Sequence, residues 1–205
     1  GVRFENSGDR EMLQRHGAII SGETVKFPSK MIEDAITTVP KQATSQYAPK
    51  RMVASTPFGN APFILDDKTG IPRRCNMDDA IRFYQINETS PLYECVNPGC
   101  ADPLDNDGVD LFAAQIAMAL KYSNKYPSFG LRATASTALH GDVYGSACRA
   151  FRLVREFYDI WDEPVMSQSI CPSPPLCYDR ECLDNLRAAI DEGQAISISA
   201  CSVGF

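Results

Sequence analysis

The chain has 205 residues, which at about 150 residues per domain gives one to two domains. Twenty Lys and Arg against twenty-six Asp and Glu leave a net charge of -6 and a pI near 5.0, a sign that argues against a nucleic-acid surface built on clustered cations. A charged fraction of 22% and an apolar fraction of 44% exclude disorder and collagen-like structure.

No apolar run reaches the roughly 18 residues of a bilayer span; the longest, Leu111 to Leu120, is interrupted by Gln115. The opening Gly1-Val2-Arg3-Phe4-Glu5 lacks the cationic and apolar regions of a secretion signal. The chain starts without Met and stops just past the apolar alternation Ile196-Ser197-Ile198-Ser199, at a strand with one unpaired edge. The expectation is a piece of a longer protein, lacking residues at both ends.

Residues 1–90 read as a small mixed α/β segment. Ser7 is placed to cap a helix carrying Met12 and Leu13 and ending at Gly17, where a positive φ is affordable. Ser21-Gly22 sits between short apolar pieces, a hairpin signal. Ser29 is expected to cap a helix over 30–39 that Pro40 ends. Extended stretches follow at 52–55 and 62–65, then the turn Asp66-Asp67-Lys68-Thr69-Gly70, and Asn76 caps a helix through Ala80, Phe83, Tyr84 and Asn87.

From residue 91 the pattern turns regular. Strands are expected at 92–96, 127–131, 165–171 and 195–201. Between them lie helices at 109–122, at 141–161 with Val143, Ala147, Phe151, Val154, Tyr158 and Trp161 on one face, and after Asp179 with Leu183, Leu186 and Ile190. Alternating strands and helices imply parallel strands joined by right-handed crossovers. Two architectures remain, an open doubly wound sheet or part of a (βα)8 barrel. The segment after the first strand, Asn97-Pro98-Gly99-Cys100, supplies no Gly-rich phosphate loop. The barrel is favoured: 91–205 would be about four βα units of a TIM barrel, with its last strand unpaired.

Eight cysteines are too sparse for a disulfide scaffold. They contain no C-x-x-C, and with only His16 and His140 in the chain the simpler reading is reduced thiols in a cytoplasmic protein without a metal site. Ligands of either architecture meet the C-terminal strand ends, which carry no carboxylate pair, Ser/His/Asp set or His cluster. Asn97 can orient a ligand or form an Asn-Pro turn. Phe129 can wall an apolar or cation-binding pocket or pack in the core. Arg132 can hold a substrate carboxylate or any surface acid. Ser173, among prolines, suits a site or a tight connection, and His140 is read as structural. Asp102, Asp105, Asp107 and Asp110 lack the Gly and Glu of an EF-hand and read as favourable charge at a helix N-terminus.

Several segments, taken in order, resemble the trimethylamine methyltransferase family: the opening five residues with His16-Gly17-Ala18, Val25-Lys26-Phe27-Pro28, Met31-Ile32-Glu33-Asp34-Ala35 with Pro40-Lys41, Ala61-Pro62-Phe63-Ile64-Leu65-Asp66, Ile170-Cys171-Pro172-Ser173-Pro174-Pro175-Leu176-Cys177-Tyr178-Asp179, and Ala189-Ile190-Asp191-Glu192-Gly193-Gln194. The resemblance implies a (βα)8-barrel enzyme that moves a methyl group from a methylated amine to the cobalt of a separate corrinoid protein. No cofactor would be bound directly; the partner would carry the corrinoid (cobalamin). The substrate would be trimethylamine, in the pyrrolysine-containing branch, or a quaternary amine such as glycine betaine. The pyrrolysine position would lie beyond Phe205, and Cys171 and Cys177 depart from the family's usual wording. A quaternary ammonium donates no hydrogen bond, so aromatic faces, shape and a hold on its carboxylate would recognise it. Cobalt(I) is itself the nucleophile, which removes the need for an acid/base pair. Two rivals stay open: a non-catalytic barrel fragment binding a small cation, and another barrel enzyme, such as a lyase, with its catalytic residues after 205. The isolated fragment is expected to be inactive, possible as a homo-oligomer through its exposed edges, and to bind neither nucleic acid nor membrane.

Overall fold

The computed structural model describes residues 1–39, 54–55, 61–103, 108–127 and 132–199. The first strand, β1 (Val2–Phe4), carries no sequence signal of its own. Asn6, rather than Ser7, caps α1 (Ser7–Arg15): its Oδ1 accepts the Asp9 N–H at 3.2 Å, and Ser7 becomes the first helical residue. Gly17, at φ +102°, turns the chain out of the helix. The expected hairpin forms between β2 (Ile19–Ser21) and β3 (Thr24–Lys26). In α2 (Ser29–Thr38) the cap position is Pro28, which offers no side-chain bond, so the cap expected of Ser29 is absent. Of the stretch 52–55 only β4 (Ala54–Ser55) is described.

The next hairpin, β5 (Phe63–Leu65) with β6 (Pro72–Arg74), closes on Asp66, whose Oδ1 accepts the Lys68 and Thr69 N–H groups and the Thr69 hydroxyl. A capping box of Asn76 and Asp79 starts α3 (Met77–Thr89). The alternation then runs β7 (Tyr93–Val96), α4 (Leu111–Tyr122), β8 (Tyr126–Pro127), α5 (Val143–Tyr158), β9 (Ser167–Ile170), β10 (Cys177–Tyr178), α6 (Arg180–Asp191) and β11 (Ala195–Ile198).

Two parallel blocks carry this alternation. β7 lies between β4 and β8, parallel to both, with Cys95 opposite Tyr126 and Val96 opposite Pro127. β9 runs parallel to β11, from Ser167 opposite Ala195 to Ile170 opposite Ile198. The Tyr126 hydroxyl donates to the Val165 carbonyl and links the blocks. The rest of the strand expected at 127–131, Phe129 included, lies outside the described residues, as do the last residues of the strand expected at 195–201. The described residues thus form a mixed α/β architecture with six helices and several small sheets.

The N-terminal hairpin belongs to a four-stranded sheet ordered β10-β1-β3-β2, in which β1 runs parallel to β10. The main core is the shared face of α4, α5 and α6, with Phe112, Ile116, Phe151, Val154, Val165 and Ala188. Two smaller cores each join residues from both sides of position 90: Ala80 and Tyr84 with Val96 and Ala119, and Phe4, Ala18 and Val25 with Leu183. Two residues expected on the buried faces of α5 and α6 are exposed. Asp159, in the left-handed conformation, ends α5 before Trp161 and leaves the indole 57% exposed. Ile190 is 60% exposed because α6 buries the stripe Cys182, Leu183, Asn185, Ala188 and Ala189 instead.

The buried Asp79 takes both Arg73 guanidinium nitrogens, at 2.6 and 2.8 Å, and accepts the Asn76 N–H at 3.0 Å. Hydrogen bonding to Arg73 holds its pKa below the ordinary value, against the opposing effect of burial. A depressed folded-state pKa stabilises the fold above the unfolded value of about 3.9, and that contribution is lost as pH falls through the folded value. Urea unfolding between pH 3 and 7 should show a steep acid loss in the native protein and a shallower one in Asp79→Asn, which starts less stable at pH 7.

Candidate functional site

The loops leaving the C-terminal ends of β7, β8 and β9 carry the candidate chemistry. After β7, Asn97 is fully buried and folds over its own turn: Oδ1 accepts the Gly99 N–H at 2.9 Å and its carbonyl accepts the Cys100 N–H at 3.3 Å. The buried Tyr84 hydroxyl donates to the Pro98 carbonyl at 2.7 Å, and burial raises its pKa. These contacts match the turn alternative for Asn97.

The same loop then passes Gln115, which α4 presents from within its apolar face at 1% exposure. Its Nε2 donates to the Ala101 carbonyl at 2.6 Å, while the Asp102 N–H reaches the Ala61 carbonyl at 3.1 Å. Asp102 is therefore held on both flanks. Its half-buried carboxylate accepts no hydrogen bond from a described residue, and burial raises its pKa. The N-terminus of α4 is instead served by Asp110, which accepts the Ala113 N–H at 3.2 Å and pairs with Arg149 at 2.7 Å. Of the four acids read as favourable charge at a helix N-terminus, Asp110 is thus the one that caps α4.

Facing Asp102 is the loop after β8. Thr137 ties it to α4 by accepting the Phe112 N–H on its carbonyl at 3.2 Å. A 3₁₀ turn over Leu139–Gly141 follows, with His140 and Gly141 at φ +53° and +73°. Between the two loops lies a cavity of about 310 Å³, whose walls include Asp102, Val109, Leu111, Thr137, Leu139 and His140.

Arg132 begins the described part of this second loop. It is half-buried, with no hydrogen bond or ion pair among the described residues. Its charge partly opposes the rise of the Cys182 thiol, which burial, aided by Asp179, pushes up to about 12. The next residue is fixed by Asn185, whose Oδ1 accepts the Ala133 N–H at 3.1 Å and whose Nδ2 donates to the Ala133 carbonyl at 2.9 Å. Gln168 on β9 donates to the same Oδ1 at 2.8 Å.

Ser173 exchanges both backbone bonds with Cys177, at 2.8 and 2.7 Å, and its hydroxyl donates to Asp179 Oδ2 at 2.8 Å. Asp179 Oδ1 accepts the Cys182 N–H at 2.8 Å as the cap of α6. Arg132 and Ser173 are thus brought to the first turn of α6, whereas the described contacts of Asn97 lie within its own turn. Phe129 is outside the described residues. Among the described residues no group of three His, Cys, Asp or Glu could hold a metal ion. Sequence reasoning gave Gln115 and Asn185 no role and took Asp102 only as one of four acids before a helix; the available signal for Gln115 was an amide inside an apolar helical run.

These features describe an α/β protein with a guanidinium, a carboxylate and buried amides on the loops that follow its parallel strands. Residues 1–204 match the family model described as trimethylamine methyltransferase, and the chain belongs to that family. It is 32% identical over 216 residues to a proline betaine:corrinoid methyltransferase of Eubacterium limosum, and 28% identical over 211 residues to an L-carnitine:corrinoid methyltransferase of the same organism. Each alignment covers 99% of this chain and 43% of the relative, so the chain spans less than half the length of either.

Replacing Asn185 by Ala leaves the Ala133 peptide groups and the Gln168 amide without partners. At about 1–3 kcal/mol for each stranded group, partly recovered by relaxation, chemical denaturation should show a loss of about 2–4 kcal/mol.

Proposed function

We propose that this chain is the N-terminal part of an enzyme that moves a methyl group from a betaine-type quaternary amine to the cobalt of a corrinoid carried by a partner protein. The observation that carries the reading is the family match over residues 1–204, with the two relatives named for proline betaine and carnitine. In this reading β7, β8, β9 and β11 are consecutive staves of a (βα)8 barrel, preceded by the mixed α/β segment of residues 1–90. The parallel pairing of β7 with β8 and of β9 with β11 supports it.

The partner's cobalt(I) supplies the nucleophile, so this protein has to bind, orient and desolvate a C–N bond. Arg132 is the carboxylate anchor: a half-buried guanidinium without a described counter-ion suits a two-point hold on a betaine carboxylate. Asn185 positions it by clamping the adjoining Ala133 peptide from both sides. Ser173 and Asn97 shape the loops at the strand ends, and Phe129 would offer a ring face to the alkylated nitrogen.

The test is methylation of a cobalt(I) corrinoid protein by the full-length enzyme, followed by absorbance, with proline betaine, carnitine, glycine betaine and trimethylamine as donors. Turnover with at least one carboxylate-bearing quaternary amine is expected. In Arg132→Gln the KM for that donor should rise about tenfold or more, the loss of one charge-assisted pair, with kcat little changed. No turnover with any methylated amine would overturn the proposal.

A further inference from the structure

We infer that Asp102 is the anionic counter-charge for a small alkylated ammonium ion bound in the cavity between the β7–α4 and β8–α5 loops. The inference deepens the methyl-transfer proposal, and rests on it, by giving the amine end of the substrate a place.

The first ground is an unbalanced charge. A carboxylate withdrawn from water needs a partner or hydrogen bonds. Other shielded acids of this chain have them: Asp79 has Arg73 at 2.6 Å, Asp110 has Arg149 at 2.7 Å, Asp9 has Arg187 at 2.6 Å and Glu192 has Arg152 at 2.6 Å. Asp102 accepts nothing from a described residue, and the described cavity walls contain no Lys or Arg. Its raised pKa reflects the same unrelieved burial. His140 is the other titratable side chain on the walls.

The second ground is rigidity. Gln115 clamps the Ala101 carbonyl from the core, and the Ala61 carbonyl takes the Asp102 N–H. The opposite wall is tied to α4 through the Phe112–Thr137 bond. The carboxylate is therefore carried on fixed backbone beside a preformed space.

The third ground is the character of that space. A volume of about 310 Å³ is at the lower end of small-molecule sites. Pro103, Val109, Leu111 and Leu139 supply apolar wall beside Asp102, the one carboxylate among the described wall residues. A hard divalent cation wants six or more oxygen ligands, and among the described residues no group of three His, Cys, Asp or Glu could hold a metal ion. An ammonium whose charge is sheathed in methyl groups matches one carboxylate with apolar neighbours.

Isothermal titration and methyl-proton NMR of the chain with tetramethylammonium chloride, against sodium chloride at equal ionic strength, test the assignment. Saturable binding is expected, weakened at least tenfold in Asp102→Asn with an unchanged thermal melt. Val109→Phe fills the cavity from the same loop, keeps the carboxylate, and should also weaken binding. Absence of saturable binding to the native chain, or equal affinity in the native protein and a folded Asp102→Asn, would overturn it. If full-length Asp102→Asn methylates corrinoid at the native KM, the cation site fails and methyl transfer stands. If the cation binds in an Asp102-dependent way but no methylated amine is turned over, the site stands and methyl transfer fails.

Discussion

The ends of these strands depend on amide side chains sent in from the helices. Where a parallel strand gives way to irregular chain, its peptide groups lose their ladder partners and, if buried, must find others. Asn87 on α3 donates to the Cys95 carbonyl at 3.0 Å, and Gln115 on α4 takes the Ala101 carbonyl. Asn185 on α6 clamps both sides of Ala133. Gln194, just past α6, accepts the Val165 and Met166 N–H groups, each at 3.0 Å, ahead of β9. All four are buried. Each fixes a loop or strand end relative to the helix layer, so the rim inherits the rigidity of the core.

The N-terminal residues are built into the same scheme rather than appended to it. β1 pairs with β10, the short strand that follows the Ser173 loop, and Phe4 stacks on Tyr178 with ring centroids 4.9 Å apart. Arg187 on α6 reaches back to Asp9 on α1 at 2.6 Å. The loop after β9 is thereby held from three sides: by β1, by the Ser173–Asp179 bond and by the Ser173–Cys177 backbone pair. Such a loop can present groups without paying ordering entropy when a ligand arrives.

Much of this was legible because local chemistry determines it. Gly17, Asn76, Asp179 and Gly193 punctuate helices as their side chains, or lack of one, dictate. The period of Val143, Ala147, Phe151 and Val154 gives the buried face of α5. What escaped is non-local. β1 and β10 are three and two residues long and exist through each other across more than 170 positions of sequence. The buried face of α6 turns toward Asn185 because residues on two other segments need its amide, a demand that no window around 185 displays. Which of the four acids before α4 serves as its cap was likewise not legible, and the fold gives that role to Asp110.

The electrostatics bear on mechanism more directly than any catalytic signature. Several shielded acids are neutralised within the chain by Arg, while the half-buried Arg132 and Asp102 are left without described partners on the loops that follow the strands. In the proposed reading Arg132 and Asp102 serve the two ends of a zwitterionic substrate. A betaine is such a molecule, and the proposed methyl transfer to a low-valent metal nucleophile would ask the protein for no proton at the moment of transfer. Transition-state stabilisation then reduces to placing the C–N bond in line and keeping water away from it. In the proposed reaction fixed charges and buried amides suffice for that work.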